Sequence, residues 1–375
     1  MRSVESFAIR TLPVMIMVLA ASATYAQSPV TAGGEVLKGL AARYPGDAGI
    51  QRHPSVLFVE DFESESLEAV VRRWSWSRGQ QDHRLSLDPQ VERPAGSPGR
   101  QSLKMTVLRG TGGNSGDLRK ILDDHHQQIH LRFYVRFAED YGLLHHFTRV
   151  RGELNPTPHH AGGAGRRPAT HFSAAIETGL NNTNHYPVRE RAAPPGFWRF
   201  YVYWPEMRSW QTPAGDPDGR PNPYYGNAFT PHRPVQAKRG AWQCVEIMVR
   251  MNSAPGAKDG ALALWIDGVP VGQWDGKARQ PARGYWMRDT FRWDPEHSAA
   301  ADFPGFNWSP LEDPDDLANY KNLIHLHHYV SSGTWNQADR YAERNPDCPI
   351  DLQEATVWKD HVVVATEYIG PLEPR

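Results

Sequence analysis

The chain has 375 residues, with 41 Lys and Arg against 42 Asp and Glu. A formal charge of −1 excludes the clearly basic domain of a nucleic-acid binder, and a mean hydropathy of −0.60 excludes a multispanning membrane protein. The 13 Trp, 14 Tyr and 13 Phe exclude a disordered chain, while 32 Gly and 31 Pro imply many turns, as in an all-β domain with long loops.

Arg2 and Arg10 precede an apolar run from Leu12 to Ala23, which ends in Thr24-Tyr25-Ala26. A short basic region, an apolar stretch and small residues before a cut describe a secretory signal peptide over residues 1–26. The run is shorter than the roughly 20 residues a bilayer span needs. It predicts export to the periplasm or the extracellular medium and a protein that is not membrane-embedded. Residues 27–55 read as a lead, with one short helix around Glu35–Arg43.

From Val56 the chain reads as strands separated by turn residues. Val56–Val59 is continuously apolar, as a doubly covered strand should be. Leu103–Leu108, Ile129–Phe137, Thr170–Glu177, Phe197–Trp204, Trp242–Met251, Ala261–Trp274, Asn322–Val330 and Glu354–Tyr368 follow. Only Leu67–Trp74 approaches a helical apolar period. Asp267-Gly268 between two apolar runs predicts a hairpin, because a type I′ turn needs positive φ at its centre. Arg208–Gly240 and Gly276–Asn319 read as long inserted loops whose Trp210, Tyr224, Tyr225, Trp286 and Trp293 could wall a groove. No composition break divides residues 56–370, so they form one domain. Cys244 and Cys348 are too few for a disulfide framework; in an oxidising compartment they could pair, but they read rather as unpaired thiols, and no Cys/His spacing fits zinc.

Three segments carry a family resemblance. Phe58-Val-Glu-Asp-Phe-Glu-Ser64 resembles the opening strand of secreted concanavalin-like jelly rolls. Trp242 to Asn252 followed by Gly260 to Gly268 resembles their strand, glycine, strand and hairpin run, and Trp358 to Gly370 their closing strand. The chain is most similar to the polysaccharide lyase family 14-like group, which includes alginate and glucuronate lyases. The resemblance implies a single-domain concanavalin-like β-jelly roll and no organic cofactor.

Strand alternation sorts side chains by face. In Ile129–Phe137, His130, Arg132, Tyr134 and Arg136 oppose an apolar set. In Thr170–Glu177, His171, Ser173 and Glu177 oppose Phe172, Ala174 and Ile176. Arg199, Tyr201 and Tyr203 oppose Phe200, Val202 and Trp204; Glu246 and Arg250 oppose Val245, Ile247 and Val249. In Asn322–Val330, His325, His327 and Tyr329 share the polar side. Five strands thus present His, Arg, Tyr, Ser and Glu, a mixture suited to sugar rings and carboxylates. Such a face can perform β-elimination on a uronate polymer. A cation neutralises the carboxylate, a base takes the C5 proton, and an acid protonates the leaving oxygen. Arg132 or Arg199 is the expected carboxylate partner, His171 or His327 the base, and Tyr134 or Tyr201 the acid. His130, Arg136, Tyr203, Glu246, Arg250, His325 and Tyr329 would bind substrate. The family places a lysine on this face, and none lies on these strand faces. His125-His126, His145-His146 and His159-His160 read as polar loop residues, His145 being the best exception.

The leading expectation is therefore a secreted or periplasmic lyase acting on an acidic polysaccharide. A non-catalytic, lectin-like binding protein and a plain envelope scaffold are the rivals. Finally, Glu60, Asp61 and Glu63 in the first strand and Asp360 in the last could share a structural Ca²⁺, as similar jelly rolls do at that seam. The alternative is that these acids are solvated or paired with Arg72 or Arg73.

Overall fold

The computed structural model describes residues 37–80, 84–112, 114–154, 165–180, 192–207, 224–231, 234–276, 284–287, 303 and 305–373. Residues 1–26, where a signal peptide is expected, His159-His160, Trp210, Trp293 and the side chain of Trp286 lie outside the described residues. Sixteen strands follow in chain order: β1 (Val56–Glu60), β2 (Trp76–Arg78), β3 (Leu85–Asp88), β4 (Ser102–Leu108), β5 (Asn114–Ile121), β6 (Gln128–Phe137), β7 (Arg149–Leu154) and β8 (Phe172–Gly179), then β9 (Phe197–Tyr203), β10 (Asn227–Pro231), β11 (Trp242–Arg250), β12 (Ala261–Ile266), β13 (Val269–Trp274), β14 (Gly284–Met287), β15 (Tyr320–Tyr329) and β16 (Glu354–Ala365). Three helices intervene, α1 (Leu67–Val71), α2 (Pro314–Asn319) and α3 (Ser332–Arg344).

The strands form two antiparallel sheets. One has the order β13-β12-β11-β6-β16-β4-β3, with β1 also on β16; the other runs β14-β10-β9-β8-β7-β15-β5-β2. Their facing sides hold the main core, where alternate residues such as Leu131, Phe133 and Val135 of β6 meet Ile176, Phe200 and Leu326 of the opposite sheet. This is a jelly-roll sandwich. The opening and closing strands pair, Phe58 with Val364 and Glu60 with Val362. The Asp267-Gly268 turn has φ of 52° and 76°, which joins β12 to β13 as a tight hairpin.

Several elements were not legible. The two long insertions contain β10 and β14, which extend the second sheet at one edge. Helix α3 has an N-cap, since Ser331 Oγ accepts from the Thr334 amide, but it buries only Thr334, Trp335 and Ala338, too narrow a stripe to set an apolar period. In the lead, a 3₁₀ turn over Leu40–Arg43 stands where a helix was expected.

The outer face of the first sheet is not open. The lead and the C-terminal tail roof it: Ala41 N donates to Ile369 O, and Ile369 N and Gly370 N donate to the Glu246 carboxylate. A bulge between Asp360 and Val363 turns His361, at φ 46°, under this roof, where it meets Asp47 and Ser97.

Candidate active site

Among the described residues, a polar face that is partly open, at Arg119, Arg149, Arg151, Arg199, Tyr201 and Tyr203, belongs to the second sheet. Cross-strand pairing draws one row over it: Trp76 pairs with Arg119, Arg119 with His325, His325 with Arg149, Arg149 with Ala175, and Ala175 with Tyr201. Directly paired residues point to the same side. Neighbouring rows add Arg78, Asp117 and His327, then Arg151, Ser173 and Tyr203, and Glu177 with Arg199. The ring of Tyr201 lies so close over Gly226 that a Cβ there would come within 2.5 Å of it, so glycine at 226 lets the tyrosine lie flat.

His146 completes the face from the loop before β7. Its backbone pairs with Tyr329, the amide of Tyr329 donating to His146 O at 3.0 Å. The imidazole Nδ1 stands 2.8 Å from Glu177 Oε1, and the ring is 28% exposed while Glu177 is buried. The ring stacks on Tyr329 with centroids 5.6 Å apart and stands 5.6 Å from the Tyr201 ring. A histidine held at Nδ1 by a carboxylate, with its other nitrogen directed away from that carboxylate, is the arrangement of an oriented general base.

Beside it lies a buried hydrogen-bond hub. Asp117 pairs with Arg78, and its Oδ1 is 2.7 Å from His325 Nε2 and 3.4 Å from His327 Nε2. Arg149 Nη2 meets His327 Nδ1. A guanidinium has only donors, so His327 Nδ1 must accept and its proton sits on Nε2, facing Asp117. Burial, then Arg149, push His327 well below its ordinary pKa; burial, then Arg149 and Arg119, do the same to His325. Both rings are neutral. Asp117, His325 and His327 are the described residues whose ligand atoms cluster tightly enough for a metal ion. The donor set does not fit one: the His327 proton occupies the position a cation would need, and three guanidiniums stand around the trio. The trio is a scaffold that orients arginines.

Those arginines crowd. Burial and Arg151 lower Arg149 to about 10, and burial and Arg151 also lower Arg119. Each remains charged at neutral pH. Among the described residues, Nε of Arg119, Arg149 and Arg151 and both Nε and Nη1 of Arg199 have no hydrogen-bond partner. These nitrogens are buried, so what the cluster offers a ligand is its positive charge.

The expected residues divide between the sheets. His171, Arg199, Tyr201, Tyr203, His325, His327 and Tyr329 come together on the open face. His171 sits at its margin near Arg151, where burial and that arginine lower its pKa to about 4. Arg132, Tyr134, His130, Arg136, Glu246 and Arg250 do not join them: they lie on β6 and β11 of the other sheet. Arg132 is 0% exposed and paired with Asp47, Glu246 holds His130 and the tail, and Tyr134 accepts from Leu372 N. Arg136 faces Glu92, and Arg250 donates to the Asp259 carbonyl. Arg132, His130 and Glu246 are the most deeply buried of these, under the lead and the tail. Of the expected loop aromatics, Tyr224 is buried and Tyr225 exposed. His146 rather than His145 carries the carboxylate partner; burial, then His146, lower His145 to about 3.

Sequence reading missed Asp117, Arg119, Arg149, Arg151 and His146. Arg149-Val-Arg-Gly-Glu153 does alternate charged against small or apolar residues, a period-2 signal for β7. His146 has no such signal, because only tertiary packing brings Glu177 to it. The acids of the seam each have their own partner. Glu60 accepts from Arg73 at 2.9 and 2.5 Å and from Trp74 Nε1, Glu63 from Arg100 N, Asp61 from Glu63 N, and Asp360 from Ser102 Oγ. These four carboxylates do not converge on one point. Both cysteines are free.

No family model matches the chain, and no curated protein matches it in sequence. Among solved structures it is similar to the alginate lyase Aly36B, at 12% identity and a TM-score of 0.45, over 83% of this chain and 97% of that one. It is also similar to the alginate lyase vAL-1 from Chlorella virus, at 11% identity and a TM-score of 0.46, over 83% of this chain and 99% of that one. A third is the endo-beta-1,4-glucuronan lyase from the fungus Trichoderma reesei, at 14% identity and a TM-score of 0.38, over 83% and 95%. No helix among the described residues is long and apolar enough to cross a membrane.

Proposed function

We propose that the open face of the second sheet binds an acidic polysaccharide and cleaves it by β-elimination. The observation that carries this reading is the His146–Glu177 pair, 2.8 Å apart, beside Tyr201 and on the same sheet face as the arginine cluster. A uronate carboxylate seated against Arg149, with Arg119 and Arg151 close by, would have its negative charge neutralised by the guanidiniums, which acidifies the C5 proton. His146 takes that proton on Nε2 while Glu177 holds Nδ1. The electron pair forms the C4–C5 double bond as the C4–O bond breaks, and Tyr201 gives its hydroxyl proton to the departing oxygen. Burial, then Tyr203, raise the Tyr201 pKa well above its usual value, so the phenol stays protonated until the leaving oxygen demands the proton. His327 is not the base in this scheme, because Arg149 and Asp117 face its two nitrogens. Arg199 and Tyr203 flank the reacting ring. The apolar run from Leu12 to Ala23 supports action outside the cytoplasm.

The test is a panel of uronate polymers, including alginate and glucuronan, scored for unsaturated uronate ends by ultraviolet absorbance. New unsaturated ends are the expected result. Reducing ends without unsaturation would replace the lyase with a hydrolase. Tight binding without any cleavage would support the lectin-like alternative.

A further inference from the structure

Trp76 is one of three large apolar side chains left exposed among the described residues, 41% open to solvent. It does not sit on an outer surface at random. It lies on β2, the last strand of the second sheet, and its cross-strand partner is Arg119, so its ring shares the face of the proposed site. The Arg119 guanidinium lies 4.5 Å from the ring centroid and that of Arg78 5.7 Å. Arg78 is in turn anchored on buried Asp117, which holds His325. The indole is thus wired to the hub and fixed in orientation before any ligand arrives.

Leaving an indole in water forgoes the free energy of burying its apolar surface. A rigid aromatic at the rim of a polar groove recovers that energy when a sugar ring lies on it, with little side-chain entropy to lose. From Trp76 to Tyr201 the row crosses five strand spacings, about 24 Å at about 4.8 Å each. That span accommodates an oligosaccharide of several rings laid across the strands.

We propose that Trp76 is a distal sugar-stacking subsite, which takes the face of a pyranose ring several units from the bond that breaks and makes the protein prefer long chains over short ones. This inference rests on the reading of the face as a uronate-polymer site. Trp76 touches no reacting atom, and Arg78 and Arg119 act on it as positioning residues.

The experiment measures equilibrium binding of alginate and glucuronan oligomers, from dimers to octamers, in a His146→Ala background that keeps them intact. Melting curves confirm folding, and wild-type turnover is measured in parallel. Affinity should rise with length, and Trp76→Ala should remove the gain of the longest oligomers, weakening them about three- to tenfold while leaving dimers unchanged. Trp76→Phe should keep most of the gain. If the parent binds the oligomers but Trp76→Ala changes all lengths equally or none, the subsite is refuted and the cleavage reading stands. If the parent binds no uronate oligomer and the wild type produces no unsaturated ends, the cleavage reading fails and the subsite falls with it.

Discussion

Arg132→Met separates a structural arginine from a catalytic one. The Arg132 side chain is 0% exposed, and its Nη2 donates to Asp47 Oδ2 at 2.6 Å. Asp47 has one other side-chain partner, His361 Nδ1 at 2.9 Å. Burial pushes the Asp47 carboxyl up, but Arg132 and His361 more than offset this, and its pKa falls below the ordinary value of 3.8. Removing the guanidinium leaves a buried carboxylate with a single partner, which costs about 3 kcal/mol, the low end of the 3–5 expected for breaking a buried pair. Asp47→Asn leaves the guanidinium with no carboxylate and costs as much or more. The double variant should cost less than the sum of the singles by at least about 1 kcal/mol, since neither charge is then stranded. The sign of the pH dependence follows. A carboxyl with a lowered folded pKa contributes stability above 3.8 that is lost as pH falls through its folded value, so the gap between wild type and Arg132→Met narrows on acidification below 3.8. Urea unfolding at several pH values measures this, and turnover on whichever uronate polymer the wild type cleaves should stay within a few-fold at low temperature. An Arg132→Met protein as stable as wild type but devoid of turnover would refute the placement of Arg132 under the chain ends.

Three further outcomes follow from the geometry. His146→Ala should lower turnover by about 10²–10⁴, and Glu177→Gln by less, without unfolding the protein; rates within a few-fold of wild type would remove the pair from the mechanism. Burial raises Asp360 to about 6 against the opposing pull of His361 and Ser102, so its favourable contribution is complete below 3.8 and is lost as pH rises through about 6. Asp360→Asn, which can keep both contacts, should therefore gain up to about 3 kcal/mol on wild type between those limits, and a urea midpoint difference that does not change with pH would contradict this. Cys244 is buried and its thiol pushed up, first by burial, whereas Cys348 is partly open. A maleimide should label Cys348 alone in the folded protein and both in urea; equal labelling rates in the fold would refute the assignment.

Much of the sandwich was legible because its signals are local. Alternation in Ile129–Phe137 and Asn322–Val330 marks which residues turn toward the core, since side chains on a strand change face at every step. Asp267-Gly268 marks a hairpin, since few residue pairs accept positive φ twice in succession. The same alternation separates polar from apolar sides on β6, β8, β9, β11 and β15, and every one of those separations stands in the structure. Shorter strands such as β5 and β7 escaped, because six or eight residues interrupted by glycine carry little periodic signal, and with them went Asp117, Arg119, Arg149 and Arg151.

A polar strand face is a local property, but a groove is not. The sequence by itself determined that His, Arg and Tyr alternate with apolar residues on five strands. It had no means of saying that β6 and β11 belong to one sheet and β8, β9 and β15 to the other. Sheet membership depends on hydrogen bonds between residues far apart in the chain, such as Trp242 to Arg136 or Ser173 to Tyr203. Two sheets packed core to core have two outer faces, and only packing shows that the lead and tail cover one of them. Arg132 and Arg149 are the same residue type on the same kind of strand face. Tertiary structure set Asp47 against the first and His327 against the second, because the lead packs over the first sheet.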